Sequence, residues 1–170
     1  MGIECGDENF RKSVLNRAMS NEQIINAFNL ARRAGLLIKS YNIVGFPSET
    51  KQIHKATVDL NQKILPDGHV CYIFQPYPGT KLFEICKKNH FIDKKLFEKE
   101  IVSRRDTVLN MPDFPRKQII KCHRNFSFYV YKKFSIRRAL FYRLYYSRYG
   151  ELIIRIFSPF KKLLRNIAMK

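Results

Sequence analysis

The chain has 170 residues, enough for one domain or for one domain with an appended segment. Hydrophobic residues make up 45% of it, including 14 Phe and 9 Tyr but no Trp, which excludes a chain disordered throughout. The formal net charge of +18 is unevenly spread: residues 1–115 carry +4, whereas residues 116–170 hold 15 basic residues and one acidic one, Glu151. That asymmetry predicts an anionic partner for the C-terminal region.

In chain order, Gly2-Ile3-Glu4-Cys5-Gly6 reads as the end of a strand and its turn, without a strand body ahead of it. This predicts a chain cut from a larger fold. A short helical stretch follows over Glu8 to Leu15. The next helix is predicted over Asn21 to Ala34. Ser20 and Gln23 make a capping box, Ile24, Ala27, Phe28 and Ala31 recur on one face, and Gly35 stands at the left-handed cap.

Leu36 to Val44 reads as a buried strand closed by Gly45-Phe46-Pro47. A helix over Glu49 to Ile64 should bury Ile53, Ala56, Leu60 and Ile64, and Pro66-Asp67-Gly68 breaks it. Val70 to Phe74 is the next strand, ending in Gln75-Pro76-Tyr77-Pro78-Gly79, and a helix over Lys81 to Lys88 follows. Strands alternating with amphipathic helices predict an α/β fold with a parallel sheet and right-handed crossovers, with too few units for a closed eight-stranded (β/α) barrel but compatible with part of one.

From Phe91 to Phe114 the pattern weakens to a connection with one short helix. Pro115 at the first helical position predicts a long helix to Lys133. Beyond Ser135, Leu140, Leu144, Ile153, Ile156, Phe157, Leu163 and Leu164 interleave with arginines and lysines, predicting basic amphipathic helices. The expected organisation is therefore residues 1–90 as a barrel portion and residues 91–170 as a helical, strongly basic C-terminal region.

Cys5, Cys71, Cys86 and Cys122 stand 66, 15 and 36 residues apart, which fits no zinc or iron–sulfur ligand spacing. They read as free thiols in a reducing compartment, so a cytoplasmic location is expected. No apolar run reaches the roughly 20 residues of a membrane-spanning helix, and no signal-peptide core opens the chain. His54, His69, His90 and His123 include no i, i+4 pair on one helix and read as structural or solvated.

In parallel α/β folds, ligands bind at the C-terminal ends of strands. Three unusual peptides stand there: Glu4-Cys5-Gly6, Gly45-Phe46-Pro47 and Gln75-Pro76-Tyr77-Pro78-Gly79. Strand termination alone explains any one of them. Three on one rim make a ligand site an equal reading.

These residues carry a family resemblance. Gly2-Ile3-Glu4-Cys5-Gly6-Asp7-Glu8, then Val14-Leu15-Asn16-Arg17, then Tyr41-Asn42-Ile43-Val44-Gly45-Phe46-Pro47-Ser48-Glu49-Thr50 resemble the second half of a radical SAM core. They are most similar to the cobalamin-binding group with the magnesium-protoporphyrin ester cyclases, and Gln75-Pro76-Tyr77-Pro78-Gly79-Thr80 resembles that group's next strand end. The resemblance covers residues 1–90. It implies S-adenosylmethionine contacts by Glu4, Cys5, Gly6, Ile43, Gly45, Gln75 and Pro76, with Glu4 at the ribose and Ile43 and Gly45 at the adenine. Cys5 replaces the group's usual Ser. Tyr41 holds the place of a glycine in the wider family pattern, and Glu49 lies one residue late.

The resemblance also implies a [4Fe–4S] cluster, whose electron splits S-adenosylmethionine into a 5′-deoxyadenosyl radical, and a cobalamin in the complete protein. The Cys-x-x-x-Cys-x-x-Cys triplet that would hold the cluster is absent from this sequence. Chemistry is therefore expected only together with a missing N-terminal half or a partner chain, and this chain is expected to be inactive alone. The competing readings are an unrelated barrel fragment with a phosphate or nucleotide ligand, and a non-catalytic membrane-surface or interaction module. For residues 116–170, an anionic membrane surface, such as the inner face of the membrane, stands beside simple packing over the barrel. Single-stranded nucleic acid stands behind both, because no RNA-binding signature is present.

Overall fold

A computed structural model describes residues 1–98 and 105–147. The expected apolar and basic positions from Arg148 onward, Ile153, Ile156, Phe157, Leu163 and Leu164 among them, lie outside the described residues.

Three strands, β1 (Gly2–Glu4), β2 (Lys39–Val44) and β3 (Gly68–Ile73), form a sheet in the order β1-β2-β3. Every pairing is parallel, with Lys39 opposite Gly68 and Val44 opposite Ile73. Helices α1 (Glu8–Ser13) and α2 (Asn21–Arg33) cross from β1 to β2, and α3 (Lys51–Ile64) crosses from β2 to β3. The α/β fold with parallel strands alternating with helices is thus the architecture of the chain, consistent with part of a barrel.

The remaining helices are α4 (Lys81–Lys88), α5 (Lys94–Phe97), α6 (Arg116–Tyr131) and α7 (Ile136–Tyr145). The described residues of α6 and α7 share the core of the sheet. Ile119, Phe126, Val130 and Tyr131 of α6 and Ala139 of α7 join Val44, Cys71 and Ile73 of the sheet in one buried cluster. Helix α6 lies against β3 and α3, closing the sheet's flank where the crossover series ends.

Local signals place most boundaries. Ser20 accepts from the Gln23 N–H at 3.0 Å while Gln23 Oε1 accepts from the Ser20 N–H at 2.8 Å, the complete capping box. Gly35 takes φ +75° just past α2. Elsewhere the boundaries move. The second strand begins at Lys39 rather than Leu36, because Leu36 and Leu37 are exposed, Leu37 at 86%. The third runs from Gly68 to Ile73 rather than from Val70 to Phe74. Pro115 caps α6 from outside instead of standing first in it. Glu49 stays out of α3, whose N-cap is Thr50.

The inner face of α3 also differs from the periodic reading. It buries His54, Thr57, Asn61 and Gln62 beside Val58, Leu60 and Ile64, while Ile53 and Ala56 are half-buried. These polar groups find partners across the layer. Ser40 Oγ donates to Asn61 Oδ1 at 2.6 Å, Asn61 Nδ2 donates to Asn42 Oδ1 at 2.8 Å, and Asn42 Nδ2 reaches the Val70 carbonyl at 3.1 Å. Buried polar groups are tolerated when satisfied in this way. No helix of the described residues is long and apolar enough to cross a membrane.

Candidate functional site

Because the three strands run parallel, their C-terminal ends share one rim, and several residues there take left-handed backbone. Glu4 closes β1 with φ +61°, Gly45 follows β2 with φ +89°, Ser48 has φ +66°, and Gly79 lies beyond β3 with φ +83°. Left-handed backbone at Glu4 and Ser48 is unfavourable for residues with a Cβ and persists only where the surroundings impose it.

The first rim peptide is held by buried contacts. Glu4 pairs with Arg17 at 3.0 Å, which brings the Asn16-Arg17 dipeptide to the same rim. The Cys5 carbonyl accepts from Arg11 Nη1 at 2.6 Å. The Gly6 N–H donates to Thr57 Oγ1 at 2.9 Å, and the Gly6 carbonyl accepts from Asn21 Nδ2 at 2.9 Å. The Cys5 thiol is fully buried, with Thr57 Oγ1 3.8 Å away, and burial pushes its pKa up to about 11. It stays a neutral thiol. The polar backbone of Cys5 and Gly6 thus serves the fold, and Glu4 is the group of this peptide with a partly exposed side chain.

Arg11 was not singled out in the sequence, and it organises this corner. Its side chain is wholly buried, and it pairs with no carboxylate among the described residues. Its guanidinium spans three acceptors instead: the Cys5 carbonyl, the Met19 carbonyl at 2.5 Å and Asn21 Oδ1 at 3.0 Å. Burial lowers its pKa from the ordinary arginine value. Replacing Arg11 by Met should leave one buried and two partly buried acceptors unpaired and lower unfolding stability by about 3 kcal/mol, measured by denaturant titration. Arg11→Lys should recover only part of this, since an ammonium cannot span a fork.

The second rim peptide is pinned by Glu49. Its Oε2 accepts from the Gly45 N–H at 2.5 Å and the Phe46 N–H at 3.0 Å, while Oε1 is buried without a partner. Burial pushes the Glu49 carboxyl up to about 8 against the pull of those two N–H groups. Gly45 is required by packing as well as by its φ, since a Cβ there would stand 2.8 Å from Ile119 Cγ2.

In the third, Pro76 is buried and Gln75 Nε2 donates to the Asp106 carbonyl at 2.6 Å. Asp106 is itself paired with Arg116 of α6 at 2.6 Å. An aromatic seam joins all three peptides. Phe46 lies 6.2 Å from Phe10, which follows the first peptide, and 5.2 Å from Phe74, which precedes the third.

Below the rim, Ser40, Asn42 and Val44 face the helices, and the alternate residues face the other way. There Tyr41 is 44% exposed, Tyr72 is 36% exposed, and Ile43 and Val70 are half-buried. The sequence-derived residues therefore divide. Glu4, Ile43 and Gln75 offer side chains at the rim or on this open face, whereas Cys5, Gly6, Gly45 and Pro76 are buried in its foundations. A cleft of about 870 Å³ lies elsewhere, between α3 and α6, and no residue of the three rim peptides lines it. The candidate site is the rim, where Glu4, Ile43 and Gln75 offer side chains, whereas lysines such as Lys51, Lys55 and Lys121 line the cleft together with His54, Val58 and Pro115.

Among the described residues no group of three His, Cys, Asp or Glu side chains could hold a metal ion. Cys5, Cys71 and Cys86 are buried, Cys122 is half-buried, and all four are unbridged. The residues present therefore do not fit an iron–sulfur cluster.

No family model matches the sequence. The chain is 30% identical over 154 residues, 91% of its length, to an uncharacterized methyltransferase of Pyrococcus horikoshii. It spans 32% of that relative's length.

Proposed function

We propose that this chain is the later part of a radical SAM barrel of the cobalamin-binding group, and that its rim contacts S-adenosylmethionine. The observation that carries the reading is the similarity to a methyltransferase across 91% of the chain. The three strand-end peptides on one rim support it, since parallel sheets bind ligands at that end. S-adenosylmethionine supplies a methyl group or, when a reduced cluster cleaves it, a 5′-deoxyadenosyl radical.

The chain's own residues fit the nucleoside better than they fit any metal. Glu4 presents a carboxylate at a strained strand end, a donor-seeking group suited to ribose hydroxyls. Ile43 offers an apolar surface suited to a base, and Gln75 an amide beside it on the next strand end. Cys5, Gly6, Gly45 and Pro76 would act by holding those groups in place. The cluster and the cobalamin belong to the rest of the complete protein or to a partner chain, and no step through either is assigned to these residues.

The test uses the native protein, isolated by an antibody against this chain together with whatever copurifies. Amide hydrogen exchange should slow at residues 4–6, 43–46 and at Gln75 when S-adenosylmethionine is added, and the isolated material should contain iron. Glu4→Gln should weaken S-adenosylmethionine binding about tenfold, the size expected for losing one charge-assisted hydrogen bond. Unchanged exchange in all three peptides would sink the proposal.

A further inference from the structure

The amphipathic reading of the C-terminal region can be carried further on α7, independently of the rim. One side of this helix is committed to the core. Ala139 is wholly buried, and Tyr142 stacks on Tyr131 at 5.4 Å and lies 5.7 Å from His69. The opposite side carries Ile136, Leu140 and Leu144, which are 57%, 48% and 56% exposed, and Phe134 just ahead of the helix is 51% exposed.

Steps of four residues turn a helix by roughly 40° beyond a full turn, so Ile136, Leu140 and Leu144 form one slanting apolar stripe. Arginines border it on both sides. Arg137 stands roughly 100° ahead of Ile136, and Arg143 falls about 20° behind it, seven residues on. Arg143 is exposed, and its guanidinium lies over the Phe128 ring at 5.1 Å from the centroid. From Arg116 to Ser147 there are nine basic residues and no acidic one.

An apolar stripe on a helix already anchored by its other face does not serve the core. Charge decides among its occupants. A second copy of this chain would bring an equally basic surface and be repelled, and an uncharged partner would leave the arginine borders without counterions. We propose that the stripe Ile136–Leu140–Leu144, with Phe134, inserts into an anionic lipid surface, the bordering arginines engaging the headgroups. Apolar insertion and attraction to anionic headgroups reinforce each other in such helices, and both are needed for binding.

The test is sedimentation of the full chain with phosphatidylglycerol–phosphatidylcholine vesicles and with pure phosphatidylcholine vesicles, alongside Leu140→Glu/Leu144→Glu. Both leucines are exposed, so the double variant should keep the wild-type unfolding temperature. The wild type should bind the anionic vesicles alone, more weakly as salt rises. The double variant should bind at least about tenfold more weakly, since two insertions are replaced by like-charged repulsion.

Three results would each overturn the proposal. One is equal binding by the double variant, which would show that the stripe does not insert. Another is wild-type self-association that the variant abolishes, without vesicle binding. The third is a lowered unfolding temperature of the variant without vesicle binding, which would mean that the chain itself covers the stripe.

Discussion

Replacing Gly6 by alanine is expected to cost about 3 kcal/mol or more of unfolding stability, and to leave little folded protein if the starting stability is modest. A Cβ at this position would stand 2.3 Å from the Ala56 carbonyl oxygen and 2.5 Å from Thr57 Cα. Both atoms are backbone of α3, so no rotamer change can relieve the overlap. The Gly6 N–H also donates to Thr57 Oγ1, and moving α3 away would break that bond and open the corner around Cys5.

The comparison is Gly35→Ala. Gly35 has φ +75° but nothing within 4 Å of its Cβ position. There the cost is conformational only, about 1 kcal/mol. Denaturant titration of the two variants separates a contact role from a backbone role. Equal small losses would show that α3 is not seated on Gly6 in solution.

Unfolding stability is expected to peak near pH 6.5 and to fall on both sides. On the acid side, burial lowers the pKa values of His54, His69 and His123 from the ordinary 6.5 to about 4. Between those values the unfolded chain binds protons that the folded chain does not, so stability drops as pH falls from 6.5 towards 4. Each histidine contributes on the order of 3 kcal/mol of this loss. Neighbouring charges act in the same direction: His123 on His54, Arg105 and Arg124 on His123 against a hydrogen bond with the Cys71 backbone, and Arg138 on His69.

On the alkaline side, Glu49 acts in the opposite sense. With its folded pKa raised from 4.5 to about 8, the folded chain keeps a proton that the unfolded chain releases. Its contribution is complete below pH 4.5 and is lost as pH rises to about 8. Between 4.5 and 6.5 three histidines outweigh one glutamate, and above 6.5 the glutamate remains. Thermal or urea unfolding from pH 4 to 9 checks the profile.

Two variants assign its limbs. Glu49→Gln keeps an oxygen for the Gly45 and Phe46 N–H groups and should flatten the fall above pH 6.5. His54→Leu should raise stability at pH 5, because both ring nitrogens of His54 are buried without partners. A profile that rises steadily from pH 6.5 to 8 would contradict the buried, protonated state of Glu49.

The rim was legible in the sequence because its signals are local. Glycine, proline and a polar residue at the end of each predicted strand mark where a parallel sheet offers its ligand end, and three consecutive βα units place those ends together. Glu4 and Gln75 were reachable in this way, whereas Ile43 came only from the family resemblance. Arg11 was not, since a lone arginine in a short helix looks like any solvated one. Its burial depends on the carbonyls of Cys5 and Met19 meeting around it. The aromatic seam of Phe10, Phe46 and Phe74 was hidden for the same reason, its members standing 36 and 28 residues apart in the chain.

The sequence by itself determined the alternation of strands and helices, the capping box at Ser20 and Gln23, the left-handed glycine at position 35, and the asymmetric charge. These depend on neighbours within about four residues, where backbone preference and side-chain spacing act directly. Only the tertiary structure decided that Gly6 yields to α3, that His54, His69 and His123 lie in the interior, and that Ser40, Asn42 and Asn61 satisfy one another behind the sheet. Each rests on groups brought together across a crossover. For a polar side chain the difference between solvent and core is set by whether such a distant partner arrives, and periodicity along the chain carries no record of that.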